Sequence, residues 1–566
     1  MKTLLRILCA VALLALLAAC GRGDTGTPAV VADDDPPAAA TEDAPAADEQ
    51  EVAAEPDELS IIRIMGRDVA INLDGGQTRL SDWVYGESRM WDQLTSDLAE
   101  RGIQLETHLV AEDQYDLVIQ TQLAAGFEHC LTNISPIDNR TRMRLAEQGR
   151  ILPINEIWER YSDGTATAFF NGPAAFSVDL TALENGNVYW LTDVQTSHFR
   201  GQEIGSILGF TIRQDWLNAL DMPIPASTDE LFDTLVAFQD NDMSGSGVRD
   251  EVISVYLHRF NTGIGQWFGF GTDIFYTCDA TNTVRSPWFH ENIQHYIRFM
   301  QSLVEAGLVD TSDQQSVKLA ENQIAGLYTW GTGTWLEPQV QVPAGAPSAY
   351  FRPFLAQASD IDAPPFAVIQ RGAQINTRGI AVTHVAQDLP AIARFLDYIT
   401  HPDFQIFSEN GIEGFTFEFD EFGEIVQFRE GCMEVQVMAL GVAQWSNNRI
   451  FPRYQLGINM EDARDRMYEI GMPGRWHFAY QVYNHPWQTG HDAAADLAVQ
   501  TEAEAIRFEE IWTDLRTYSE ETLTRLILGQ LSLDDWDSFI DDLVRLGLEE
   551  LLEIQQARLN RARRLG

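Results

Sequence analysis

The stretch from Leu59 to Leu109 constrains the fold more than any other part of this chain. Leu59 to Met65 (LSIIRIM) is an apolar run of strand length, Ser88 to Leu98 has helical apolar spacing, and Ile103 to Leu109 (IQLETHL) alternates as a second strand. Strand, helix, strand in that order predicts a parallel sheet with crossover helices, hence an α/β class. The pattern returns later: Gly379 to Thr383 reads as a strand, and Leu389 to Thr400 (LPAIARFLDYIT) reads as a helix that ends before Pro402. Beyond about Ala493 the chain turns almost wholly helical, with Trp512, Leu515, Leu523, Ile527, Trp536, Ile540, Leu543, Leu546, Leu551 and Ile554 supplying apolar faces. Arg558, Arg561, Arg563 and Arg564 fall in the last turns, where cations suit the helix dipole, and they read as a solvated helix end.

The N-terminal residues set the compartment. Lys2 and Arg6 precede an uncharged apolar stretch, Ile7 to Ala19, that is too short to span a bilayer and ends in Leu17-Ala18-Ala19-Cys20. A cysteine directly after Leu-Ala-Ala resembles the bacterial lipobox, which implies a signal peptide at 1–19 and a lipid on Cys20. From 20 to 59 the composition shifts to Ala, Pro, Asp and Glu without an aromatic residue, as expected of a disordered acidic tether. Such a tether has a root-mean-square span of roughly 30–40 Å. Cys130, Cys278 and Cys432 remain outside the signal; an odd count permits at most one disulfide, and their spacing suggests no metal cage.

Charge excludes one class of partner. With 84 acidic against 38 basic residues the formal net charge is -46, and no basic face for nucleic acid exists. The tether holds about a dozen of the acids, so most of the charge belongs to the body and disfavours anionic ligands.

Five segments together resemble extracellular solute-binding proteins of family 1, in the lipoprotein branch that serves oligosaccharide ABC importers. They are GNVYWLTDV (Gly186 to Val194), IRQDWLNALDMPIPASTDELFDTLVAFQDNDMSGSGVRDE (Ile212 to Glu251), NQIAGLYTWGTGTW (Asn322 to Trp335), RGIAVTHVAQDLPAIARFLDYITHPDFQIFSENGIEG (Arg378 to Gly414) and LILGQLSLDDWDSFIDDLVRLGLEELLEIQQARLNR (Leu526 to Arg561). The chain departs from the family at EHCLTNI (Glu128 to Ile134). The resemblance implies a two-lobed periplasmic-binding-protein-like fold of type II with a helical C-terminal extension. It places lobe one at 60–190 and 371–410, and lobe two at 191–370 and 411–566. Ligand would lie between the lobes, which close about a hinge, and the chain would act as a monomer that delivers sugar to permease subunits at the extracytoplasmic face of the membrane.

A sugar offers an apolar C–H face and a hydroxyl rim, so its site needs flat aromatic platforms with carboxylates or amides at the edge. Trp330 and Trp335 lie in a Gly/Thr loop after an apolar strand (YTWGTGTW), which lets a ligand approach the backbone. The family's matching loop contributes a stacking aromatic. Trp83 and Tyr85 stand in the turn-rich GGQTRLSDWVYGES, Trp190 and Asp193 at the lobe crossing, and Trp487 in a polar-aromatic loop with Tyr483, Asn484 and His485. These are the ligand-binding candidates.

Ser227 and Glu230 form a capping box that starts a helix running to about Gln239, and an acidic turn follows. Calcium takes oxygen ligands at alternate loop positions, with glycine at the sixth. Counting from Asp240 gives Asp240, Asp242, Ser244 and Glu251 with Gly245 at the turn; counting from Asp242 gives Asp242, Ser244, Ser246 and Asp250 with Gly247 there. Either register would make a structural clip before the strand-like EVISVYL, or simply a solvated acidic turn. No other cofactor is expected.

Enzyme signatures are missing. His290 and His295 are five apart, which takes them off one helical face, and there is no G-x-S-x-G, Walker loop or G-x-G-x-x-G. Carboxylate pairs for glycoside hydrolysis come from distant segments and spacing cannot test them, so a surface-anchored glycan-degrading enzyme stands as the alternative to a sugar receptor.

Overall fold

The structure is a computed structural model. It describes residues 59–565 except 69, 74–75, 200–201, 205, 261, 313, 331–339, 348, 363, 371–372, 375–378, 420–424, 428–453, 460–487 and 493–496. The residues from Glu55 onward form one compact unit.

The expected βαβ opening is present. Strand Ser60–Asp68 pairs in parallel with Ile103–Ala111 along its whole length, from Ser60 opposite Ile103 to Asp68 opposite Ala111. Helix Arg89–Glu100 connects them, capped by the Ser88 hydroxyl, which accepts from the Trp91 N–H, and it buries Met90, Trp91, Leu94 and Leu98. Strand Leu131–Asn133 adds in parallel to the other side of the first strand, and Ile380–Val382 closes that edge antiparallel. The chain therefore returns to its first sheet after a long excursion. Helix Leu389–Thr400 follows, starting and stopping at the residues its sequence pattern predicts, with Asp388 as its cap. Its Ile392, Phe395 and Leu396 join Ile62, Ile64, Leu94 and Trp158 in the core of this first body.

The excursion builds a second, mixed sheet. Its central strand, Ser206–Arg213, is antiparallel to Ile324–Trp330, Phe351–Phe354 and Phe366–Gln370. Strand Gln488–Asp492 pairs in parallel with Phe366–Gln370 on one side, and Val252–Ser254 pairs in parallel with Ile324–Trp330 on the other. Phe210, Trp267, Phe354 and Trp288 fill its core together with Leu515, Leu523 and Leu543 from the C-terminal helices. A small sheet made by Asp193–Phe199, Ala373–Gln374 and Tyr454–Asn459 lies on the paths between the two bodies.

The C-terminal helices do not belong to one body alone. Helix Glu502–Ile527, opened by a Thr501/Glu504 capping box, packs against both Ile293–Glu305 of the second body and Asn139–Glu147 of the first. Helix Leu548–Leu565 packs against it and against Ala175–Thr181. One expectation is corrected here: Arg558 is not at a solvated helix end but 4% exposed, and its Nε donates to the Ala498 carbonyl at 2.8 Å. Arg561 likewise turns inward, donating to the Val499 carbonyl at 3.2 Å and to the Glu504 carboxylate at 2.5 Å. The buried guanidinium of Arg558 carries the cost of that place: burial brings its pKa down to about 10. Cys130 and Cys278 are free thiols, and Cys432 lies outside the described residues.

Candidate functional site

Parallel strands direct their carboxyl ends to one edge of a sheet, and in open α/β sheets ligands bind beyond that edge. The first strand ends at Asp68, whose nearly buried carboxylate accepts from both the N–H and the hydroxyl of Ser81, each at 2.9 Å. That double bond docks the short helix Leu80–Val84 at the carboxyl end of the sheet. Trp83 lies on this helix, half-buried, and Tyr85 is its C-cap. The Tyr85 hydroxyl donates to the Thr107 carbonyl at 2.8 Å, while 62% of the residue stays exposed. A ring pinned at its polar tip and open on its face is a preorganised platform for an apolar ligand surface. Trp83 and Tyr85 thus stand on one short element at the carboxyl end of the first sheet.

Trp190 is placed differently. It is 2% exposed and packs into the layer where the crossing segments meet, with Tyr189, Ala381, Val499 and Ala505. Arg142 lies over its indole at 5.4 Å, and the Arg142 Nη2 donates to the carbonyls of Ile134 and Ser135 at 3.1 Å each. Gly379 lets the ring pack closely, because a Cβ there would stand 3.0 Å from the Trp190 ring, a tight contact. In this conformation Trp190 is a wall residue and presents no face to a ligand.

Three chain segments form that crossing layer. Leu191 and Ile380 exchange backbone hydrogen bonds of 2.9 and 3.1 Å, and Val499 donates to the Leu180 carbonyl at 2.9 Å. Arg558 and Arg561 hold the third segment from the C-terminal helix, as described above. Sequence reasoning missed this clamp and the buried Arg142. Nothing local announces either: Arg142 stands between Arg140 and Arg144, and Arg558 opens a basic stretch with Arg561, Arg563 and Arg564.

The other candidates are less fully placed. Asp193 opens strand Asp193–Phe199, paired with Gln374 through the backbone, and Trp330 ends strand Ile324–Trp330 opposite Leu208. Trp335 and Trp487 lie outside the described residues, as do Tyr483, Asn484 and His485.

The acidic turn is well ordered by its own bonds. Helix Thr228–Asp240 is capped by the Ser227 hydroxyl, which accepts from the Glu230 N–H, and the Glu230 carboxylate reaches back to the Ala226 N–H. After it Asp242, Gly245 and Gly247 have positive φ of 49°, 78° and 82°, and the Gly247 N–H donates to the Asp242 carboxylate. Glu251 is fully buried and accepts from the N–H groups of Ser244 and Asp250. The Ser244 hydroxyl donates to Asp250 at 2.8 Å, and Asp240 turns away to pair with Arg249. Asn322 ties the Ser244 carbonyl to the buried Arg213–Asp215 pair. Among the described residues, no three carboxylate, imidazole or thiol groups converge as metal ligands do, and N–H donors occupy oxygens of Asp242 and Glu251. His290 and His295 do not meet either: His295 pairs with Asp360, and His290 accepts from the Asn292 N–H.

No protein-family model matches the chain. A fructooligosaccharide ABC transporter substrate-binding protein, FusA of Streptococcus pneumoniae, is 24% identical over 174 residues, which are 30% of this chain and 32% of that protein. The match therefore spans about a third of that relative's length. Structural similarity is broader. FusA as an EF-hand mutant in complex with fructo-nystose superposes with a TM-score of 0.65 at 15% identity, covering 89% of this chain and all (100%) of that one. An extracellular solute-binding protein from Bifidobacterium longum subsp. infantis gives 0.62 at 14% identity, covering 90% and 100%. The chain has the two-lobed α/β fold of extracellular solute-binding proteins.

Proposed function

We propose that the chain is the lipid-anchored, extracytoplasmic solute-binding subunit of an ABC importer, and that it holds a neutral sugar or oligosaccharide between its lobes for delivery to permease subunits. The observation that carries this reading is the likeness over 90% of the chain to a solute-binding protein, joined by a similar likeness to FusA in complex with fructo-nystose. The sequence match to a fructooligosaccharide receptor points the same way. These relatives are binding proteins, which favours a receptor over a glycan-degrading enzyme. Within the cleft, Trp83 and Tyr85 supply the platform from lobe one, and Trp330, Trp335 and Trp487 with Asp193 are the proposed contacts from the crossing and lobe two. Cys20 is the proposed anchor.

Titration of the purified chain with fructooligosaccharides, followed by intrinsic tryptophan fluorescence, tests the reading. A saturable change with chemically unaltered sugar is expected, and release of shortened sugar would favour the enzyme. Replacing Trp330 or Trp335 with alanine should weaken binding several-fold without unfolding; normal binding by both variants would remove them from the site.

The acidic loop is a candidate structural calcium site, since a relative is described by its EF-hand. Calcium would have to displace the N–H donors now held by Asp242 and Glu251, with Ser244 and Asp250 completing the set. At a hundredfold excess over its dissociation constant it should stabilise the fold by about 2.7 kcal/mol, read as a higher melting temperature reversed by chelator. An unchanged melting temperature in millimolar calcium would leave a purely hydrogen-bonded turn.

A further inference from the structure

A groove of about 670 Å³ opens on the second body, between the turn Pro287–Phe289, the start of helix Ile293–Glu305 and the helix Trp536–Arg545. That volume is within the usual range for small-molecule sites, roughly 300–1,000 Å³. None of its lining residues belongs to the sugar-binding candidates.

Its floor is aromatic and fixed. Trp536 is half-buried and lies on Trp288, with ring centres 5.8 Å apart and planes tilted 32°. Trp288 is fully buried and is locked by its indole N–H, which donates to the Ser519 hydroxyl at 2.8 Å. Phe289 leaves 43% of its surface exposed at the groove. The rim is anionic: Glu291, Asp537 and Asp541 are all exposed, and none is ion-paired with a described residue. No lysine or arginine lines the groove. His290 adds no positive charge, since burial pushes its imidazole below the ordinary range.

An acidic protein has carboxylates everywhere, so the three acids alone would mean nothing. What singles out this place is their position around a rigid indole inside a ligand-sized recess. A neutral sugar would leave three uncompensated like charges on the rim. A positively charged nitrogen would relieve that repulsion and gain attraction from the ring face, while its carbon skeleton covers Phe289 and Ile540. We propose that this groove binds a small organic ammonium compound, with the cation between the carboxylates and over Trp536. A polyamine and an amino sugar share that chemistry.

Calorimetric titration of the whole chain at physiological salt separates the two sources, using spermidine, glucosamine and, as the uncharged control, N-acetylglucosamine. Saturable one-site binding of spermidine, of glucosamine or of both is expected, with none for the acetylated sugar, and the active probe names the source. The double variant D537N/D541N should weaken binding about tenfold or more, and W536L several-fold although it changes no charge. F289S, at an exposed position, should also weaken binding and serves if W536L melts early by circular dichroism. The proposal is overturned if neither amine saturates or if N-acetylglucosamine binds equally well. It is also overturned if W536L and F289S bind spermidine or glucosamine like the parent, since the attraction would then be that of any acidic surface. Sugar binding in the cleft is independent of every one of these results.

Discussion

In strand Ser60–Asp68 the buried apolar side chains are Ile62, Ile64 and Met65, and the sheet they start is held by parallel backbone pairing and apolar packing. Its surface charges are solvated pairs such as Arg63–Glu106, half-exposed on both sides and worth little. The helix Leu548–Leu565, at the other end of the folded chain, works differently: it sends Arg558 and Arg561 inward to the carbonyls of Ala498 and Val499. Glu504 completes that cluster. Burial pushes its carboxyl up, but the Arg561 guanidinium and the Thr501 N–H outweigh this and hold it below the ordinary range. A sheet can be built from local patterns, whereas a crossing between two bodies has unpaired carbonyls that need donors from elsewhere. The crossing is thus held by charged donors from the C-terminal helix, and the first sheet mainly by apolar burial.

The largest effect should come from breaking the clamp. Arg558→Ala strands the Ala498 carbonyl and opens a cavity at a fully buried site, which should cost about 3 kcal/mol or more in urea unfolding. Arg563→Ala, on the exposed side of the same helix, should change stability by less than about 0.5 kcal/mol. Equal effects would show that the two arginines are alike and that the clamp is unimportant.

A smaller effect should appear in the first lobe as pH falls. His129 is 8% exposed, and its Nε2 is 3.0 Å from the Nδ1 of His108. Burial pushes His129 below its ordinary 6.5, and the neighbouring His108 adds to this. The unfolded chain then binds protons more readily, so this stability is complete above about pH 6.5 and is lost as pH falls through the lower folded value. His129→Gln should flatten the slope of melting temperature between pH 6.5 and 5, whereas Arg558→Ala should leave it intact. A slope unchanged in His129→Gln would place the titration elsewhere.

The same contrast explains what the sequence could show. Helices Arg89–Glu100 and Leu389–Thr400 are legible because their apolar periods are local and their caps, Ser88 and Asp388, stand beside the helices they start. Arg558 was not, because basic residues in a last helical turn ordinarily face water, and its partner lies 60 positions away. Tyr85 stands in a turn-rich stretch and is 62% exposed, yet nothing local announces the Thr107 carbonyl that pins it. Trp190 looks the same in sequence, and its burial under Arg142 follows from tertiary packing alone. The serine-rich acidic loop showed its turn glycines plainly, but not that Glu251 would be buried among N–H groups.

Sugar is proposed to bind between two lobes joined at this clamped crossing. Small-angle X-ray scattering of the chain during titration with a fructooligosaccharide tests it most directly. A decrease in radius of gyration that saturates together with the tryptophan fluorescence change is expected, as the lobes close on the ligand. Saturable binding with no change in radius of gyration would contradict it, placing the sugar outside the cleft.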